Sequence, residues 1–168
     1  MNTIKRALVL TPLLFLLTAC PYESSVPITE ANKGIDNRFL GKWIKEGEQD
    51  EEFPDEFYQI QALGDRLYEI EKNDFSSEDS TYRTETYISH FSTLTKSGED
   101  FLFLNMKKDG KYYLHRVDLS DETFVLFEVT DNIDEQFSNS KDLKAFVEKN
   151  MDLSFFYNKD EATFYKGN

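Results

Sequence analysis

From Phe39 to Lys166 the apolar positions come in short runs separated by turn residues, and most runs alternate rather than recur every three or four positions. Period-two alternation rich in Val, Ile, Thr, Tyr and Phe marks a half-buried strand. On that basis strands are predicted over 40–45, 56–62, 66–72, 81–94, 100–107, 111–119, 122–130 and 161–166. The linking residues agree. Leu63-Gly64-Asp65 and Ser120-Asp121-Glu122 suit tight turns, and Lys108-Asp109-Gly110-Lys111 contains Asp-Gly, a strong hairpin signal. Strands joined this closely pair antiparallel. One segment breaks the pattern. Between Ser138 and Met151, residues Leu143, Phe146, Val147 and Met151 fall at helical spacing, with Ser140 as a candidate N-cap and Asp142 in the first turn. This helix is expected to cover one side or one end of the sheet. The fold class expected is mainly β: an antiparallel up-and-down meander of about eight strands forming a small barrel or curved sheet, with one helix near the C-terminus.

The faces of the longer strands are mixed. On 81–94 the even positions Tyr82, Thr84, Thr86, Ile88, His90, Ser92 and Leu94 combine apolar and small polar groups, which suits a partly polar interior better than a dry core. On 111–119, Tyr113, His115, Val117 and Leu119 oppose Tyr112, Leu114, Arg116 and Asp118, as expected of a sheet covered unevenly. Tyr82, Ile88, His90 and Tyr113 are the candidate lining of a ligand cavity. A barrel of this size can hold one small ligand or be filled by its own side chains.

Composition sharpens this. The chain has 168 residues, 15% of them aromatic, with 15 Phe and 9 Tyr, enough apolar surface for one packed domain. Its net charge of −13 argues against binding a phosphate backbone, so no nucleic-acid partner is expected. A single cysteine excludes an internal disulfide and a cysteine zinc cluster.

The N-terminus reads differently from the rest. Lys5 and Arg6 precede an apolar run from Ala7 to Leu17, too short for the ~20 residues of a spanning helix and suited to a signal peptide. Then comes Leu17-Thr18-Ala19-Cys20, which resembles the bacterial lipobox. That resemblance implies a lipoprotein signal peptide over 1–19 and a diacylglyceryl group on the Cys20 thiol. It also implies cleavage before Cys20, acylation of the new amino terminus, and attachment to a membrane through lipid. Pro21, rather than Asp, follows the cysteine, which favours the outer membrane. Residues 21–38 show no period and carry Pro21, Pro27 and Gly34. With Cys20 they read as a lipid-anchored flexible tether over 20–38, ahead of the domain at 39–168. A surface-export signal is the other reading of this stretch, though only Glu23 lies close to the cysteine.

At the first long strand, Gly41-Lys42-Trp43 resembles the G-x-W that opens lipocalin-like barrels. The resemblance implies that Trp43 plugs a closed end, that Gly41 lets the preceding segment pass close, and that a basic residue from a late strand packs on the indole. Arg116 and Lys166 are both candidates. The chain departs from that family in placing its helix before the last strand.

The other candidate groups have plainer roles. The run Glu46, Glu48, Asp50, Glu51, Glu52, Asp55, Glu56 offers oxygen ligands but lacks a calcium-loop spacing, and reads as a solvated loop. Asp74 to Ser80 reads as a hairpin tip. His90 and His115 would make a zinc pair only if their strands were neighbours and a carboxylate joined them; two ordinary half-buried histidines is the plainer reading. No nucleophile motif is present, and no pair of carboxylates stands out for hydrolysis. Neither a metal nor a cofactor is expected. The expectation is a non-catalytic, lipid-anchored envelope protein binding a small or lipidic ligand or an envelope component. The alternatives are an interaction protein with a filled core and, more remotely, a hydrolase.

Overall fold

The computed structural model describes residues 21–130, 132–158 and 161–167. The signal segment and Cys20 lie outside the described residues. A two-residue strand β1 (Glu23–Ser24) is followed by a 3-10 turn at Asn37–Phe39. The meander then runs through β2 (Gly41–Lys45), β3 (Glu56–Leu63), β4 (Leu67–Ser76), β5 (Thr81–Lys96), β6 (Glu99–Lys108), β7 (Lys111–Leu119) and β8 (Thr123–Glu128). Helix α1 (Ser140–Asn150) precedes the last strand, β9 (Ala162–Lys166). All pairings are antiparallel, from β2 through to β8, and β9 closes the circle by pairing with both β8 and β2. The result is a closed eight-stranded barrel plus one extra strand, β1, on β7. Closure leaves the barrel strands no unpaired edge.

Turn chemistry fixes the register. Asp109 and Gly110 both take positive φ (51° and 79°), the two-residue geometry that matches strand twist, and glycine adopts it without strain. Ser97 and Gly98 repeat the turn between β5 and β6, so β5 extends past Leu94 to Lys96. β4 likewise runs on to Ser76, pairing with β5 as far as Thr81. The tip expected over Asp74–Ser80 therefore shrinks to residues 77–80.

The expected N-cap of the helix shifts by one residue. Asn139 is extended, and its side chain accepts from the Asp142 N–H at 3.0 Å, while Ser140 is the first helical residue. Leu143 and Val147 are buried against the outside of the barrel wall, with Met151 beside them.

The largest difference lies at the start. Residues 21–38 are not a free tether but a strap laid along the outer wall. Tyr22 and Ile28 are buried at 3% and 0% exposure among Leu94, Phe103 and Leu114. Burial of two large apolar side chains outweighs the turn-forming composition of the segment. The polar residues beneath it hold its backbone. Asn105, itself buried, accepts from the Ile28 N–H at 2.8 Å and donates to Ser92 Oγ at 2.9 Å. His90 Nε2 lies 2.7 Å from the Thr29 carbonyl, and Thr29 and Ser92 share a hydroxyl hydrogen bond of 2.7 Å.

There are thus two cores. One fills the barrel: Phe39, Trp43, Tyr68, Phe91, Phe124 and Phe164 are its large rings. The other lies between the outer wall, the strap and α1. Among the described residues no helix is long and apolar enough to cross a membrane.

Candidate functional site

The barrel interior changes chemistry along its axis. At one end Trp43 is fully buried, its indole N–H donating to the Phe39 carbonyl at 2.9 Å. Phe124 lies edge-on to Trp43 and stacks on Phe164, and Phe39 packs on Tyr68 and Phe91. This end is solid. Between the two basic candidates, Lys166 is the one on the indole: its Nζ sits 4.7 Å from the ring centroid and donates to the Arg38 carbonyl at 2.7 Å. Arg116 packs instead on Phe127 and Tyr157. Gly41 matters for a different reason than close passage. An added Cβ would meet only the Lys166 Cε at an ordinary 3.5 Å, but its φ of 114° is one that side chains rarely adopt.

At the other end the inward positions become charged. Pairing places Tyr58 opposite Lys72, Lys72 opposite Glu85, and His115 opposite Glu128. A cavity of about 220 Å³ opens here, floored by Met106 and walled by the rings of Tyr58, Tyr87 and Tyr113, with Lys72, Glu85, His115 and Glu128 around them. Pro21 is part of its lip. It bridges to Thr130, so the chain enters the barrel wall beside the mouth.

The charges are arranged in pairs. Lys72 Nζ lies 3.3 Å from Glu56 and 3.2 Å from Asp74. Burial opposes its charge, but those two carboxylates outweigh burial and raise the ammonium's pKa. Lys45 also pairs with Glu56, at 3.0 Å. Lys108 reaches Glu85 at 2.6 Å and the Tyr87 hydroxyl donates to the same carboxylate at 2.6 Å; together they hold Glu85 below the usual glutamate range. Burial, then Glu85, pushes the Tyr87 phenol well up. Burial likewise raises Tyr58. Glu128 is penalised by burial, yet the neighbouring His115 and the Asn158 amide more than offset this and keep its pKa low. His115 Nε2 is 3.8 Å from Glu128, beyond hydrogen-bond reach, and its Nδ1 is buried with no partner among the described residues.

Of the four residues expected to line a cavity, Tyr113 lines this one, and Tyr82, Ile88 and His90 do not. On β5 the odd positions face inward, with Phe91 in the barrel core and Tyr87 against it, so the even face is the outer one. Ile88 is half-buried on that outer face, and His90 is beneath the strap. Tyr82 lies outside, against Phe57 and Phe75, its hydroxyl donating to the Pro54 carbonyl. The mixed face is real, but its polar groups serve the strap. His90 and His115 sit on opposite faces of the wall with β6 between their strands, so they do not share an ion. Among the described residues no group of three or more His, Cys, Asp and Glu is placed to hold a metal. Within the acidic run, Glu48 accepts from the Glu56 N–H, and Glu56 itself belongs to the barrel mouth.

Sequence reasoning missed Glu85, Tyr87, Lys72 and Glu128. A signal for them exists: on same-parity positions, Ile60-Tyr58-Glu56, Ile70-Lys72-Asp74, Phe91-Ser89-Tyr87-Glu85 and Phe124-Leu126-Glu128 each run from apolar to charged toward one rim. No known protein family, no curated protein and no solved structure matches this chain.

Proposed function

We propose that this protein is a lipid-anchored, non-catalytic binding protein of the cell envelope that holds a small ligand in the mouth of its barrel. The observation that carries the reading is the cavity itself: an apolar floor, three phenol rings and a fixed set of charges, above a core of buried aromatics. A wall of paired strands holds these groups rigidly, so little ordering accompanies binding. The anchor rests on Leu17-Thr18-Ala19-Cys20 and the signal-like segment before it; Pro21 after the cysteine favours the outer membrane. Native mass spectrometry of the gently purified full chain tests the carrier role. A reproducible extra mass, lost on denaturation, is expected; a bare chain that also takes up no small molecule would overturn it. Cys20→Ala is expected to move the protein out of the detergent-extractable membrane fraction, and its retention there would overturn the anchor.

A second reading has its own observation. Phe53 is 58% exposed and stacks on Phe75 at 5.9 Å, next to Phe57 and Tyr82 on the outer wall. An exposed ring cluster of this kind fits a protein partner. Phe53→Ser would weaken capture of such a partner while leaving the mouth cavity intact.

A further inference from the structure

The electrostatics of the mouth select what the cavity takes. Its lysines are committed: Lys45 and Lys72 to Glu56 and Asp74, Lys108 to Glu85. Glu128 is different. Its ion-pair partner among the described residues is His115, at 3.8 Å, and its hydrogen-bond partner is the neutral Asn158 amide. It is ionised in the neutral range, and no lysine or arginine among the described residues pairs with it directly, Lys72 favouring its charge only from farther off. Opposite the charge lie phenol rings, Tyr87 and Tyr113 being edge-to-face at 6.1 Å. Ring faces attract cations and are indifferent or unfavourable to anions. A carboxylate ligand would bring a second negative charge beside Glu85 and Glu128 with every lysine already paired. An apolar chain would desolvate Glu128 further with only the Asn158 amide and His115 beside it.

We propose that the mouth binds a small organic cation, an amine or quaternary ammonium, with its charge at Glu128 and its alkyl groups against Tyr58, Tyr87 and Tyr113. This rests on the ligand-carrier reading and names its ligand class. The 220 Å³ corresponds to a molecule of on the order of seven to ten non-hydrogen atoms, since a liquid water occupies about 30 Å³. Lys72 lines the same cavity, but its charge is met by Asp74 and by Glu56, which it shares with Lys45, and so repels an incoming cation weakly.

The test compares choline with its uncharged isostere 3,3-dimethylbutan-1-ol, and with decanoate, by titration calorimetry on the full chain. Choline is expected to bind at least about tenfold more tightly than the alcohol. Glu128→Gln should remove most of that gap, while Glu69→Gln, on the outer wall, should preserve it. Tyr113→Leu, which keeps the carboxylate and removes a ring, gives an independent reading should Glu128→Gln fail to fold; it is expected to weaken choline more than the alcohol. Equal binding of choline and alcohol, or binding of decanoate alone, overturns the cation inference and leaves a ligand carrier. Binding of none of the three, with no co-purifying mass, overturns both.

Discussion

The ammonium of Lys166 lies 4.7 Å over the indole of Trp43 and at the same time donates to the carbonyl of Arg38. Three elements meet through this pair: the last strand, the first long strand, and the 3-10 turn that leads into it. Trp43→Ala opens a large void in a packed end and is expected to cost about 3–5 kcal/mol. Lys166→Met keeps most of the packing and is expected to cost about 1 kcal/mol. Urea unfolding followed by circular dichroism measures both. A Trp43→Ala protein as stable as the wild type would contradict the packing described.

Gly41 allows strain to be separated from crowding. Its φ is 114°, while an added Cβ would make only ordinary contact with the Lys166 side chain. Gly41→Ala is expected to cost about 1–3 kcal/mol through backbone strain alone. If crowding by Lys166 were the cause, the double variant Gly41→Ala with Lys166→Ala would recover the loss; it is expected not to.

Asn105 is the fully buried side chain that fastens the strap backbone. Asn105→Leu would leave the Ile28 N–H without an acceptor, at a cost of about 1–3 kcal/mol. Hydrogen exchange is expected to accelerate over Tyr22–Thr29 and to stay slow in β3 and β4. Uniform acceleration across the barrel would mean that the strap and the barrel unfold as one.

His90 makes the same region sensitive to pH. Burial lowers its pKa below the ordinary 6.5, although the Thr29 carbonyl and Glu30 act the other way. As pH falls, the unfolded chain takes up the proton first, so the contribution of neutral His90 is full above about 6.5 and is lost progressively down to its folded pKa. Urea midpoints from pH 7 to 5 should therefore fall. His90→Gln, which retains an N–H donor for Thr29, should flatten that decline. An unchanged slope would assign it to other groups.

The meander was legible because its signals are local. Alternation set the strands near their observed places, 111–119 to the residue, and Asp109-Gly110 demanded its turn. The strap was not legible, because nothing local holds it there. Pro21, Pro27 and Gly34 favour turns, and only the distant Leu94, Phe103, Leu114 and Asn105 make Tyr22 and Ile28 bury. The same absence misdirected the site. With the strap in place, β5 is buried on both faces around His90 and Phe91, so alternation no longer marks which face is the interior. The polar face was read as the cavity when it was the seat of the strap. The gradient toward Glu56, Asp74, Glu85 and Glu128 becomes readable only when the closed ring sets all those positions at one rim.

The bridge between Pro21 and Thr130 also sets an orientation. Pro21, the first described residue, is fastened to the lip of the cavity. A lipid on Cys20 would hold the barrel mouth-down, a cup resting rim-first on the bilayer rather than swinging at the end of a cord. The acidic loop between Lys45 and Glu56, on the same rim, would then face the headgroups.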